Sequence, residues 1–365
     1  MSRTPPHRAR PLVMVDQRLA RRRRTGIARV ITQTREAMAA NPPTDIDVVW
    51  VNGPRGLPRR NALTSVGNLI IDMLWLGVML PRKARQRGAS LIHVPMNWGP
   101  LRGGTPTTVM IQDLAFERMP QAYPRGFRAW ASIIGRRTAK RARLVMATTE
   151  AGAQDIGEIY RVPRERIRVV HLGTTGDASD FQPIREPFVL AVGEFEPRKR
   201  VVELMRGHDR YFATAPTFPP ICRLVIAGAG GSQEAEAHER CGVGCDLLGF
   251  ISDDELHELY RRATLFVSLS AYEGFGLPIV EAMAHGCPVL VADNSSQAEV
   301  AGDGAFLIHD ASPEGIAARL EEVLADRDEL ARRGEAARAR AAELSWSETA
   351  RKTADVWREA LGLPG

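Results

Sequence analysis

Cysteine is scarce: four residues, Cys222, Cys241, Cys245 and Cys287, in a chain of 365. So few make no disulfide framework and suit a reducing compartment. His238, Cys241 and Cys245 lie close together, but their spacing matches no common zinc site and no fourth ligand is evident, so no metal is expected. Long apolar runs are missing too. The longest candidate, residues 69–80, contains Asp72 and Gly77 and falls short of the roughly 20 apolar residues that a membrane-crossing helix needs. The apolar stretch at 12–15 is too short for a signal peptide, and the basic, Pro-containing residues 1–11 read as a short flexible lead. Neither a repeat of solenoid period nor a coiled-coil heptad is present.

What is present is ordinary for a globular chain, with 44% hydrophobic and 25% charged residues. The length predicts two domains of about 150–200 residues. Charge is divided unevenly. Residues 1–180 hold 30 Lys+Arg against 13 Asp+Glu, and residues 181–365 hold 19 against 30. A basic first half points to something acidic (a membrane surface, an anionic acceptor or nucleic acid) or to packing against the acidic half.

Short β-branched runs alternate with helical patterns throughout. Strands are expected at 12–16, 48–51, 91–94, 108–112, 144–147 and 168–171. They are expected again at 188–193, 223–228, 246–250, 265–269, 288–292 and 305–309. Continuous apolar strands separated by helices mean parallel sheets covered on both faces. The fold class is therefore α/β, with two doubly wound, Rossmann-like domains in tandem. They are placed at 1–172 and 188–344, with a linker at 173–187 and a last helix at 345–365 packing back on the first domain. Capping boxes are read at Ser252/Glu255 and Ser345/Glu348. Ligands of such sheets bind beyond the carboxyl ends of the strands, so chemistry is expected in the loops that follow them.

The most informative loop is Ser268-Leu-Ser-Ala-Tyr-Glu273-Gly-Phe-Gly-Leu-Pro-Ile-Val-Glu281. A buried strand runs into a loop carrying Glu273, Gly274 and Gly276, and Pro278 suits the first residue of a helix, with Gly286 as its C-cap. The glycines let backbone N–H groups approach a ligand, and the unpaired N–H groups of the helix start carry about half a positive charge. That suits a phosphate. Two carboxylates beside it would repel it unless they bind hydroxyls, and a sugar supplies those.

This segment resembles the E-x7-E signature of the retaining glycosyltransferases of family 4, whose GT-B fold pairs two Rossmann-like domains across a cleft. The resemblance covers nearly the whole chain. It implies that Glu281 holds the donor ribose, that Glu273 contacts the transferred sugar, and that the backbone of Phe275, Gly276 and Leu277 binds sugar hydroxyls and diphosphate. In Val192-Gly193-Glu194-Phe-Glu-Pro-Arg198-Lys199, two cations follow a strand. Arg binds phosphate oxygens in a bidentate way and Lys adds a point charge. One such contact is on the order of 4 kcal/mol before desolvation. The family has a Gly…Arg-Lys element here, which implies a diphosphate site. The glycine-rich turn Gly228-Ala229-Gly230-Gly231 can approach phosphates, although a lysine common in the family near Ala229 is absent. Gly249 and Phe250 end a strand where the family's backbone meets the base. Gly26, in Thr25-Gly-Ile-Ala-Arg29, lies in the glycine loop that the resemblance brings near the donor phosphate. The preceding Arg21–Arg24 run suits an anionic acceptor or lipid headgroups.

One position breaks the pattern. Where the family commonly has His-Asp, this chain has Gln112-Asp113. Glutamine hydrogen-bonds but cannot take a proton, whereas Asp113 remains to orient the site. The Asp45/Asp47 pair precedes a strand and reads as a solvated turn. The resulting expectation is a metal-independent, retaining hexosyltransferase of mannosyltransferase-like type. Its donor is a nucleotide-diphosphate sugar, GDP- or UDP-linked, and its acceptor a glycan, lipid-linked or small-molecule hydroxyl. No other cofactor and no nucleic acid are expected. A cytoplasmic location is expected, with peripheral association at the inner membrane face through the basic first domain. The 69–80 helix, followed by Arg82, Lys83, Arg85 and Arg87, reads either as lying on a membrane or, more often for such a helix, as packing in the first domain's core. The rival readings are a sugar-nucleotide epimerase or phosphorylase of the same fold, and a donor-binding partner subunit without turnover.

Overall fold

The computed structural model describes residues 10–21, 25–57, 62–174, 185–214 and 222–364. Most of the expected linker, part of the N-terminal lead and Arg22–Arg24 lie outside the described residues.

The first sheet contains β1 (Leu12–Asp16), β2 (Asp47–Val51), β3 (Leu91–Val94), β4 (Thr107–Ile111), β5 (Leu144–Ala147) and β6 (Ile167–Val169), all parallel, in the order β2-β1-β3-β4-β5-β6. Its helices are α1 (Gly26–Ala40), α2 (Ala62–Leu74), α3 (Leu80–Gln86), α4 (Ala115–Arg118), α5 (Arg125–Arg141) and α6 (Glu150–Tyr160). A π turn, Trp75–Met79, joins α2 to α3 without a break. The second sheet contains β7 (Glu186–Val192), β8 (Arg223–Ala227), β9 (Cys245–Gly249), β10 (Ala263–Ser268), β11 (Val289–Ala292) and β12 (Ala305–Ile308), parallel in the order β12-β11-β10-β7-β8-β9. Its helices are α7 (Val201–Thr214), α8 (Glu234–Arg240), α9 (Asp253–Arg262), α10 (Leu277–Ala284), α11 (Ser295–Ala301), α12 (Pro313–Ala325) and α13 (Arg327–Ala342). The final helix is α14 (Trp346–Leu361).

The central strands are apolar on both faces because helices cover both. Val13, Met14, Val15, Leu91, Val109 and Val145 are buried in the first sheet, and Val189, Leu190, Phe266 and Leu290 in the second. Several strands stop a residue earlier than the sequence pattern suggests, at Ile111, Val192 and Ala227. At two of these ends the next residue is Gly193 or Gly228, with φ of +150° and +146°, which swings the chain out of the ladder. The π turn was not legible in the sequence.

Helix α14 leaves the second unit and packs on α1 and β3 of the first. The side chain of Ser345 caps it by accepting the Glu348 N–H. Trp357 is fully buried beside His93, with ring centroids 5.3 Å apart. Arg358 donates to both carboxylate oxygens of Asp45 at 2.8 and 2.9 Å. Asp45 is thus not the free solvated turn expected from sequence. Its Arg358 hydrogen bonds hold its carboxyl below the usual range, and the pair ties α14 to the β2 edge. Trp357→Ala should cost about 3–5 kcal/mol, read as a lower urea midpoint by circular dichroism.

Candidate active site

In the second sheet β10 and β7 are neighbours whose following connections run to opposite sides. This is the topological switch point, where loops diverge and leave a crevice. The loop after β7 carries Arg198 and Lys199, and the loop after β10 carries Glu273. Two backbone-directed bonds strap these loops together. Ala271 N donates to the Arg198 carbonyl at 2.8 Å, and Arg198 Nη1 donates to the Tyr272 carbonyl at 3.0 Å.

The result is a compact charge cluster. Lys199 Nζ donates to Glu273 Oε1 at 2.5 Å, and Arg198 Nη1 lies 3.1 Å from the same oxygen. Burial pushes the Glu273 carboxyl up, but the Lys199 and Arg198 charges outweigh it and hold it below its ordinary value of 4.5. Sequence reasoning had given Glu273 to a sugar and the cations to a diphosphate. In the structure both cations engage the Glu273 carboxylate.

Residues that the motifs did not reveal hold the Glu273 loop. Asn294 and Gln297 both donate to the Ser270 carbonyl, at 2.6 and 2.7 Å, and Ser296 Oγ donates to the Glu273 carbonyl at 2.6 Å. All three lie at the start of α11. Across the cleft, Tyr272 OH donates to Asp155 at 2.7 Å and accepts the Leu114 N–H at 3.2 Å. The Gly274 carbonyl accepts from Thr148 Oγ1 at 2.8 Å and Thr149 Oγ1 at 3.2 Å. A Cβ on Gly274 would sit 1.9 Å from the Gln112 carbonyl oxygen. The freedom expected to serve a ligand at Gly274 therefore serves contact with the first domain.

Glu281, on α10, is only 4% exposed. Arg29 of α1 reaches across to bond its Oε1, and Tyr260 OH donates to its Oε2 at 3.2 Å. Arg29 also donates to Asp253 at 3.1 Å. Arg29 sits in the segment singled out for Gly26, yet nothing in the sequence paired it with Glu281, 252 residues away. Gly26 itself opens α1, with free space where a Cβ would point.

Gly276, with φ +92°, is the N-cap of α10, which begins at Leu277, so Pro278 is its second residue rather than its first. Phe275 is buried. Gly228 lets the Gly193 carbonyl approach, and a Cβ there would lie 2.1 Å from it. Gly230 N donates to Glu234 at 2.9 Å. The glycine-rich turn is thus engaged in packing the loops of β7 and β8. Gly249 faces open space, and Phe250 is 64% exposed at the end of β9.

The side-chain amide of Gln112 donates to the Pro95 carbonyl at 3.5 Å, and its backbone carbonyl accepts from Thr148 at 3.2 Å. Asp113 accepts the Ala115 N–H at 3.1 Å. Burial pushes the Asp113 carboxyl up, against the pull of that N–H and of Arg198. The four cysteines are free, and no cluster of three or more metal-type side chains occurs among the described residues.

Two parallel, helix-covered sheets whose carboxyl-end loops meet across a cleft define the GT-B class. The fold is similar to that of sucrose-phosphate synthase from Thermosynechococcus elongatus, with a TM-score of 0.73 at 19% identity over 97% of this chain and 100% of that chain. Residues 24–175 match the family model Glycosyltransferase Family 4, and residues 178–340 match Glycosyl transferases group 1. The chain is similar to O-antigen chain mannosyltransferase B of Escherichia coli, 27% identical over 238 residues, covering 60% of this chain and 61% of that protein. It is also similar to the MMP alpha-(1->4)-mannosyltransferase of Mycolicibacterium hassiacum, 30% identical over 248 residues, covering 62% and 56%. Each match spans less than two thirds of the relative's own length. Both halves of the chain thus match glycosyltransferase family models.

Gly274→Ala forces a methyl group onto a backbone carbonyl that cannot give way, so the cleft must open. The expected outcome is an unchanged far-ultraviolet spectrum with larger small-angle scattering dimensions and weaker turnover. The Glu273 cluster also predicts a pH effect. A carboxyl lowered on folding contributes stability above its unfolded value, here 4.5, and loses it as pH falls through the folded value. Acid unfolding of the native chain should therefore begin at a lower pH than that of Arg198→Met/Lys199→Met, followed by circular dichroism.

Proposed function

We propose that this protein is an active, metal-independent, retaining hexosyltransferase. It moves a mannose-, glucose- or rhamnose-type sugar from a GDP- or UDP-linked donor to the hydroxyl of a glycan, lipid-linked or small-molecule acceptor. Polysaccharide assembly on the cytoplasmic side of the membrane is the setting it fits. The observation that carries this reading is the meeting of Arg198, Lys199 and Glu273 at the switch point.

The sugar C1–oxygen bond to the diphosphate breaks as charge builds on the leaving group. Arg198 and Lys199, already gathered by Glu273, are placed to neutralise that charge in a half-buried site, where preorganised cations act without reorganisation. The Glu273 carboxylate then has a sugar hydroxyl to accept, and the N–H groups at the start of α10 face developing negative charge. The buried Glu281 carboxylate suits a ribose diol. The sugar becomes oxocarbenium-like. Asp113 is turned onto its own backbone, so we assign it to orientation. The acceptor proton passes to the leaving phosphate on the same face, where the new bond forms, and the anomeric configuration is retained. The mannosyltransferase relatives support the sugar class.

Gln112 supports a second reading, that of a donor-binding subunit with impaired turnover, because an amide, which cannot take a proton, stands where the family commonly has a histidine. Arg198→Ala/Lys199→Ala should lower kcat by at least about a hundredfold, the scale of losing one transition-state donor, with a native far-ultraviolet spectrum and a lowered melting temperature, because Glu273 is left buried and unpaired. Near-native turnover would refute the phosphate assignment. A thermal-shift panel of GDP-, UDP-, ADP- and dTDP-sugars identifies the donor, because binding raises apparent stability. NMR of the product then reads the anomeric outcome. Donor binding with no transfer across an acceptor panel, and transfer gained in Gln112→His, would select the second reading.

A further inference from the structure

The helical rod from α2 through the π turn to α3 has two unlike sides. Trp75, Leu76, Leu80, Pro81 and Ala84 are buried in the core of the first domain. On the other side Ile70, Met73, Leu74, Val78 and Met79 are each between 46% and 58% exposed. Ile70, Leu74 and Val78 follow at i, i+4 and i+8, so they form one stripe. A helix that is apolar on all sides is ordinarily covered on all sides, and a contiguous exposed patch marks a contact surface.

The charges around this stripe say what covers it. Arg82, Arg85 and Arg87 are exposed at its C-terminal end. Its only acidic residue between 62 and 87, Asp72, is turned to the buried Arg18. The crossovers β2–β3 and β4–β5 run in the same direction along the sheet, so the rod and α5 lie on one face. The 101–104 loop joins them. Arg141 of α5 donates to the Gly103 carbonyl at 2.6 Å, and a Cβ on Gly103 would lie 3.1 Å from Pro81. Helix α5 adds the exposed Phe127 and Ile133 and the exposed cations Arg125, Arg136, Arg137 and Lys140. A second copy of this chain would bring cationic face against cationic face. An anionic bilayer satisfies both halves of the surface: aliphatic side chains enter the acyl boundary while arginines meet headgroup phosphates. No helix among the described residues is long and apolar enough to cross a membrane, which leaves an in-plane seat.

We propose that the outer side of residues 70–87, with the cationic face of α5, docks this protein in the plane of an anionic lipid surface. The start of α5 links that surface to the cleft. Phe127 stacks on Tyr123 with centroids 6.1 Å apart and contacts Trp98 and Trp130 at 6.2 and 6.1 Å. Tyr123 lies within the electrostatic reach of Asp113, Arg198 and Glu273. Docking therefore sets the acceptor side of the cleft at the lipid headgroups. That last consequence alone rests on the transferase reading.

The test is co-sedimentation of the full chain with vesicles of phosphatidylcholine alone and of phosphatidylcholine with phosphatidylglycerol. Binding is expected with the anionic vesicles only, weakening as salt rises. Met73→Ser/Leu74→Ser/Val78→Ser should lower partitioning at least about tenfold, since each change removes apolar area from the acyl boundary, with an unaltered circular dichroism melt. Arg82→Gln/Arg85→Gln/Arg87→Gln should reduce the salt-sensitive part. Absence of binding to anionic vesicles, equal binding by the apolar variant, or a native dimer that this variant makes monomeric would each overturn the proposal. None of these readouts uses sugar transfer, so failure here leaves the transferase reading standing, and the converse holds.

Discussion

The α-carbon of Gly274 against the Gln112 carbonyl oxygen is the contact on which the geometry of the cleft depends. Any side chain at 274 would meet that oxygen, so the distance between the two sheets is set where neither backbone can yield. Around this point the contacts are polar and directional. Thr148 and Thr149 hold the Gly274 carbonyl, and Tyr272 bridges Leu114 and Asp155. The loop that carries Glu273 is in turn braced from behind by Asn294, Ser296 and Gln297. A loop fixed on both sides keeps its carboxylate and its neighbouring helix start in position for a ligand.

Glu273 and Glu281 are buried carboxylates of the cleft, and each has a cation. Glu273 takes Lys199 and Arg198 from its own domain, and Glu281 takes Arg29 from the other. An unpaired buried charge is strongly unfavourable, so these pairs keep the site stable before a donor arrives. They also match the chemistry of a nucleotide sugar. Phosphate oxygens are alternative partners for the cations, and hydroxyls are alternative partners for the carboxylates. The Arg29–Glu281 pair spans the cleft, which couples occupation of Glu281 to the relation between the domains.

The first domain carries the other half of the charge pattern. Nine of its 30 cations lie on α3 and α5, with no acidic residue on either helix, beside exposed aliphatic side chains. Part of the charge does pair the two halves: Arg29 bonds Glu281 and Asp253, and Arg168 bonds Glu359. Cations used for packing between the halves would be paired at the domain interface. Those on the outer face of α3 and α5 are not placed there.

The sequence by itself determined the α/β class, the order of strands and helices, and which loops meet at the switch point. Each of these is a local property: an apolar run of strand length, a glycine after it, a Pro or Ser opening a helix. Glu273, Glu281, Arg198, Lys199 and Asp113 could be placed at the cleft from sequence because the segments after parallel strands gather at one edge of a sheet. The tertiary structure alone decided which groups are partners. Arg29 with Glu281, Tyr272 with Asp155 and Arg358 with Asp45 are separated by 252, 117 and 313 residues, and no periodicity carries information over such distances. It also decided what the glycines do. Gly274 and Gly228 looked like ligand-approach positions, but whether a missing Cβ admits a phosphate or a neighbouring carbonyl depends on which backbone the fold brings against it.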